Sequence, residues 1–557
     1  MHLRNTVYST LITQPVPIPG CDQSHTHPRQ RTLFSFHQGE HMSRITAEMS
    51  VAEVVERDPR LREILDRHGL KGCGGEHGPA EPISFFAAVH QVDVDELLRE
   101  LNRPPAPAPH SYEYKESAAD VIYRRFFKTA IVTVLTVGCM WGAINLLQIA
   151  LGRSFLQMGL LPAIHAHAQA MISGWVGLFV MGFAYQSFPR FRNTTLWRPD
   201  LASLSFYLVV IGVIARMVAE MIAPYPAAMF FGIAGFGLEM AAGILFITVL
   251  LRTARQSIEP RSRYEIFILG SLFWFLVQIP LSYLLFFAKV AAEGEQQMVM
   301  RIALIDGPLR EVQLLGFAAL IIAGVSQRFV PLVYGLKPPR TDRLKTIFVL
   351  INSSLLLNIF SYVALLLTFN PVFGIGLAIA YLLMPVWVVL LIRQLGIFSK
   401  PQRPDRSFKF IRTAYIWLLV SAVMLPLFPL YNMLTNQMFS HSWMGSYRHA
   451  FTVGFISMMI LGVSSRVVPI LAGIDGAKLT SLWGPFILLN LGNTGRVVLQ
   501  ILTDWFPQAA YPLVGFTGFI EVIALAWWGV HLWRVMNLAK THRREVLTMH
   551  ALLGMAR

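Results

Sequence analysis

Twelve long apolar runs occupy most of this chain and decide its class of fold before any single residue is read. They cover roughly residues 127–151, 161–187, 201–222, 226–251, 264–288, 308–334, 345–368, 371–394, 410–432, 448–471, 481–503 and 512–536. A helix crossing a bilayer needs about 20 mostly apolar residues. In lipid only helices and closed barrels satisfy every backbone polar group, and runs of this length are helices. With 54% hydrophobic and 14% charged residues and a mean hydropathy of +0.51, the composition excludes an ordinary soluble enzyme. It equally excludes long disorder, which needs few apolar residues and much charge. The expected fold is all-α: a polytopic membrane protein of twelve transmembrane helices with a small soluble helical domain at the N-terminus.

The net charge of +15 is membrane topology and not a nucleic-acid footprint. Basic residues crowd every second loop: Arg124, Arg125 and Lys128 before the first run, Arg190, Arg192 and Arg198 after the second, and Arg252, Arg255, Arg261 and Arg263 after the fourth. The opposite loops are nearly bare. The positive-inside rule then puts both termini in the cytoplasm, which twelve spans require. No signal peptide is visible in residues 1–42, which read as a disordered leader or as an extension ahead of a true start at Met42. Three scattered cysteines, Cys21, Cys73 and Cys139, exclude a disulfide scaffold.

Residues 43–102 read as a compact helical head. Ser50-Val-Ala-Glu53 has the spacing of a capping box, Asp58-Pro59 opens a helix and Gly69 stops one. A Pro-rich linker over 103–120 is expected to act as a stiff spacer holding the head away from the membrane domain, 121–540, and 541–557 form a cytoplasmic tail. The loop His68-Gly-Leu-Lys-Gly-Cys73-Gly-Gly and the helical segments around it resemble the small N-terminal domain of ScdA-type iron–sulfur-cluster repair proteins. That resemblance implies a role in nitrosative stress and a soluble redox or repair partner at the head. Cys73 is then a redox or metal candidate, or an inert thiol in a protein-interaction module.

The chain also repeats itself at a long period. The second run contains Gly174-x7-Gly182-x6-Pro189, the sixth Gly316-x7-Gly324-x6-Pro331, and the tenth Gly454-x7-Gly462-x6-Pro469. One run later, Gly212-x3-Arg216 and Gly492-x3-Arg496 hold the same offset, with Ser354 and Asn358 in the middle copy. Small residues recur in membrane helix packing, but that does not fix shared spacings. The pattern implies three four-helix units around a pseudo-threefold axis.

Ionisable groups inside the bilayer cost roughly 2.5–3.5 kcal/mol each and face cavities or partners. Arg216, Arg496, Glu239 and Glu521 are the clear cases, and an Arg–Glu pair within each repeat is the simplest arrangement. Arg328 and Arg466, near helix ends, are long enough to snorkel. His165 and His167 open the second run and His449 opens the tenth. Imidazole suits haem iron and copper, so these three are the metal-site candidates, and Arg216 and Arg496 are candidates for haem propionates. Counted from the repeat glycine at 100° per residue, His449 and His165 point about 40° apart and His449 and His167 about 200° apart. A cofactor gripped between neighbouring repeats needs ligands facing each other, which selects His167 and His449. His165 then faces the sixth run, where Glu311 takes the matching position and a copper site would be incomplete.

The segments Ile164-His-Ala-His-Ala-Gln-Ala-Met-Ile-Ser-Gly-Trp and Arg448-His-Ala-Phe-Thr-Val-Gly-Phe, with the helical arginines, resemble the NnrS family, and more distantly haem–copper oxidase subunit I. The resemblance implies a bacterial inner-membrane protein carrying haem b and copper and serving nitric oxide resistance or denitrification. Two other readings remain open at this point: a haem-free transporter using the intramembrane Arg and Glu residues, and a catalytic oxidase- or reductase-like subunit.

Overall fold

A computed structural model describes residues 44–103, 117–152, 160–223, 225–403 and 405–554. The proposed leader, most of the linker and the last three residues of the tail lie outside the described residues. Among the described residues there are no strands, only one isolated bridge between Ser50 and Pro82. The head contains α1 (Val51–Arg57), α2 (Leu61–Arg67), α3 (Ile83–His90) and α4 (Val94–Leu101). Val51, Val54, Leu65, Ile83 and Leu97 form its core. The capping box is present: the Glu53 amide donates to Ser50 Oγ at 3.1 Å and the Ser50 amide to Glu53 Oε2 at 2.7 Å. Gly69 ends α2 at φ +106°, a left-handed conformation open to glycine.

The membrane domain follows as α5 (Ala118–Ala150), α6 (Leu160–Phe191), α7 (Pro199–Met221), α8 (Ala227–Gln256), α9 (Glu265–Val290), α10 (Glu295–Tyr334), α11 (Asp342–Thr368), α12 (Val372–Leu395), α13 (Phe408–Thr435), α14 (His441–Ala472), α15 (Trp483–Leu502) and α16 (Pro507–Gly554). Eleven of these are long and apolar enough to cross a membrane. The exception among the expected twelve is α15, which forms a 20-residue helix where expected. Asn490, Asn493, Thr494, Arg496 and Gln500 dilute its apolar character, while Trp483, Ile487, Leu491 and Val498 form an exposed apolar face.

The threefold repeat is physical. A methyl group added at Gly182, Gly324 or Gly462 would meet the preceding helix in each unit: 2.6 Å from Phe126 Cβ, 2.9 Å from Phe267 Cβ and 2.7 Å from Ile411 Cγ1. Each of α6, α10 and α14 also widens into a π turn at the same place, Ala170–Gly177, Val312–Ala319 and Ala450–Ser457. Gln169, Glu311 and His449 stand immediately before these turns. Gly212 packs on Glu239 Cγ (2.8 Å) as Gly492 packs on Glu521 Cγ (2.7 Å), so the first and third units also share their last helix contact.

The head is not held apart. It packs on one end of the bundle, and one arginine from each repeat reaches it. Arg190 of α6 donates to the Lys71 carbonyl at 3.1 Å, Arg328 of α10 to the Val89 carbonyl at 2.7 Å, and Arg466 of α14 pairs with Glu81 at 2.9 Å. Arg328 and Arg466 therefore end on protein rather than snorkelling to an interface. The head offers two backbone carbonyls and a carboxylate, which bind a guanidinium better than a headgroup layer shared with water.

Candidate functional site at the seam of the first and third repeats

The His-bearing ends of α6 and α14 lie far from the head. Trp175 Nε1 of α6 donates to Ser457 Oγ of α14 at 3.2 Å, so these two helices are direct neighbours. His167 and His449 fall within electrostatic reach of each other, and both feel Arg496. α6 and α14 thus place the two histidines on adjoining helices, and both rings are half-buried.

Their hydrogen bonds separate them from His165. His167 Nδ1 lies 2.9 Å from the Gly138 carbonyl, and His449 Nδ1 lies 2.9 Å from the Gly445 carbonyl. A carbonyl only accepts, so each Nδ1 carries the proton and each Nε2 presents a bare lone pair. That is the arrangement by which a second partner orients a metal-ligating imidazole. Local structure explains the first of these bonds. A π turn at Val134–Gly138 shifts the α5 ladder, and the Gly138 carbonyl faces His167. Gly142, one turn on, lets the ring approach: a methyl there would sit 2.5 Å from His167 Cε1.

Three more helices wall the seam. Ser446 of α14 donates to the Val497 carbonyl of α15 at 3.0 Å, which brings Arg496 beside His449. Among the described residues Arg496 has no direct hydrogen-bond or ion-pair partner; it senses only Glu521 and the two histidines. Glu521 Oε1 on α16, both polar atoms of Asn493 on α15 and both of Asn145 on α5 are buried without partners. Buried polar atoms left unmatched cost about 1–3 kcal/mol each.

His165 faces another way. Its Nδ1 meets the Lys289 ammonium, which also holds Glu220 at 2.7 and 2.8 Å; Glu220 in turn pairs with Arg216 at 2.8 Å. No hydrogen bond joins His165 to Glu311 of α10, and the His165 ring is engaged by Lys289 of α9. The expected Arg216–Glu239 pair is also replaced. Glu239 accepts from Gln169 (2.9 Å), Ser173 (3.2 Å) and Tyr283 (2.7 Å), while Arg216 lies over the rings of Tyr283 and Phe286. Glu311 remains in the second repeat, buried near Tyr381 and Tyr447 with Oε2 unpartnered.

Sequence reasoning missed Glu220, Lys289 and the cluster Asp306–Arg310–Arg448, in which both arginines reach one carboxylate at 2.9 and 3.4 Å. The i,i+4 spacing of Arg216 and Glu220 was the available signal. Among the described residues no three His, Cys, Asp or Glu side chains gather as a metal site. Cys73 is enclosed in its loop, and burial pushes its thiol up against the pull of Arg190 and Arg62, which is the behaviour of an inert cysteine.

A family model described as NnrS protein matches residues 120–539. No curated protein matches the chain.

Proposed function

The chain belongs to the NnrS family, and from that premise we propose that it binds one haem b at the seam of α6 and α14, where His167 and His449 would hold the iron. The observation that carries this reading is the matched pair of imidazoles, each with Nδ1 held by a carbonyl and Nε2 free. The unpaired Arg496 guanidinium and the orphaned Asn145 and Asn493 amide nitrogens support it, since each can donate to a propionate. Haem held by two imidazoles transfers single electrons and offers no open coordination position. In this reading the chain's own residues orient the ligands, exclude lipid and balance the propionate charge through Arg496. The assignment is therefore electron transfer or sensing in nitric oxide resistance or denitrification, and not reduction at a two-metal centre. Copper does not fit the residues present, because His165 is engaged by Lys289 and lacks companions. Arg216 does not take a propionate role, being paired with Glu220. The transporter reading gains no support from the first repeat, where Arg216, Glu220, Lys289 and Glu239 each have partners.

The head and both termini lie in the cytoplasm of a bacterial inner membrane in this proposal, on the strength of the basic loops. The head would meet a soluble redox or repair partner there. The test is a reduced-minus-oxidised spectrum with haem quantification on purified protein. His167→Ala and His449→Ala should each abolish the bis-imidazole spectrum, and His165→Ala should keep it. A full haem complement in either of the first two variants would overturn the assignment.

A further inference from the structure

A second space lies on the pseudo-threefold axis, between the histidine seam and the head. Its walls are supplied by equivalent residues of all three repeats: Phe179, Ile321 and Met459 form one layer, and Val180, Ile322 and Ile460 the next. The offsets between them, 142 and 138 residues, are those of the repeat glycines. The cavity holds about 100 Å³. Its lining is almost wholly apolar, and the hydroxyl of Ser464 is spent on the Ile460 carbonyl at 2.6 Å. Water needs two to four polar partners to enter such a space, whereas apolar cavities of about 150 Å³ stay dry and take up xenon or benzene. Toward the head the space ends at Phe191, under the Arg328 guanidinium that donates to Val89 of the head.

We propose that this axial cavity is a binding site for a small uncharged, non-polar gas. The lining excludes ions and water, and the volume suits a molecule of a few heavy atoms. The three-layer symmetry means that no single repeat owns the site; it exists only because three copies leave a gap where their small and branched side chains meet. The inference does not depend on haem, since occupancy is read with or without it.

Xenon is the probe. A crystal or cryo-cooled sample pressurised with xenon should show one atom on the axis between Ile322 and Ile460, and xenon-129 NMR should report saturable binding. One turn nearer the head the wall carries Phe183, Val325 and Val463. The double variant Val325→Phe, Val463→Phe copies the first repeat's own residue and should bring xenon occupancy to background while leaving the haem spectrum unchanged. Absence of xenon from the axis in the wild-type protein would overturn the proposal, as would ordered water or an acyl chain filling the space. Undiminished xenon binding in a folded double variant would do the same. The wild-type measurement decides the matter if the variant does not fold.

Discussion

The first and third repeats use one scaffold for two different interiors. In both, a glycine on the third helix packs against the Cγ of a glutamate on the fourth, Gly212 on Glu239 and Gly492 on Glu521. In both, an arginine follows that glycine by four residues. The first repeat then closes: Gln169, Ser173 and Tyr283 cap Glu239, and Glu220 pairs with both Arg216 and Lys289. The third stays open. His449 stands where Gln169 stood, Gln500 stands where Glu220 stood, and Arg496, Glu521 and Asn493 are left waiting. A satisfied network rigidifies, and an unsatisfied one calls for a ligand. The partners named here differ at three equivalent positions: Gln169 against His449, Ser173 against Val453 and Glu220 against Gln500.

Four measurements would break or sharpen that contrast. The largest effect is expected at the open site, where loss of either His167 or His449 removes haem altogether. Next comes the closed one. Glu220→Ala would strand Arg216 and Lys289 in the bundle and should cost about 3–5 kcal/mol in reversible unfolding of the solubilised protein. Glu521→Gln in haem-free protein should cost no more than about 1 kcal/mol, because its carboxylate already lacks a full set of partners. Equal costs would mean the two interiors are energetically alike. A smaller effect is expected from Gly142→Ala, which crowds the His167 ring: haem is retained in part, with an electron paramagnetic resonance signal moved toward a weakened axial bond. The smallest concerns Asn493→Ala. In haem-free protein it should be neutral or slightly stabilising by melting temperature, and it should speed haem loss from loaded protein. A destabilised haem-free variant would show that Asn493 serves packing.

The fold was legible because lipid leaves so few choices. Run lengths gave the helices, and the glycine frames gave the threefold arrangement. The one span that falls short, α15, does so because of the polar residues that the site requires. The proposed pair came from angular arithmetic on two helices, since ring direction depends mainly on position along a helix. The π turns lie between the histidines and the repeat glycines but occupy equivalent places in both copies, so the difference in angle survives them. Side-chain partners were less readable. Lys289 belongs to a helix end that sequence assigns to the aqueous margin, yet it reaches back to His165 and Glu220 along its own flexible stem. Arg328 and Arg466 were read against solvent because a Pro-rich linker suggested distance, and no pattern in the head announces which of its carbonyls will be used.

The two helices that carry the imidazoles also end on the head. On α14, His449 and Arg466 are 17 residues apart, about 25 Å along a helical axis at 1.5 Å per residue. A helix in a packed bundle behaves as a stiff rod over that length. α6 and α14 therefore tie the histidine end of the bundle to two fastening points on the same small domain, through Arg190 and Arg466.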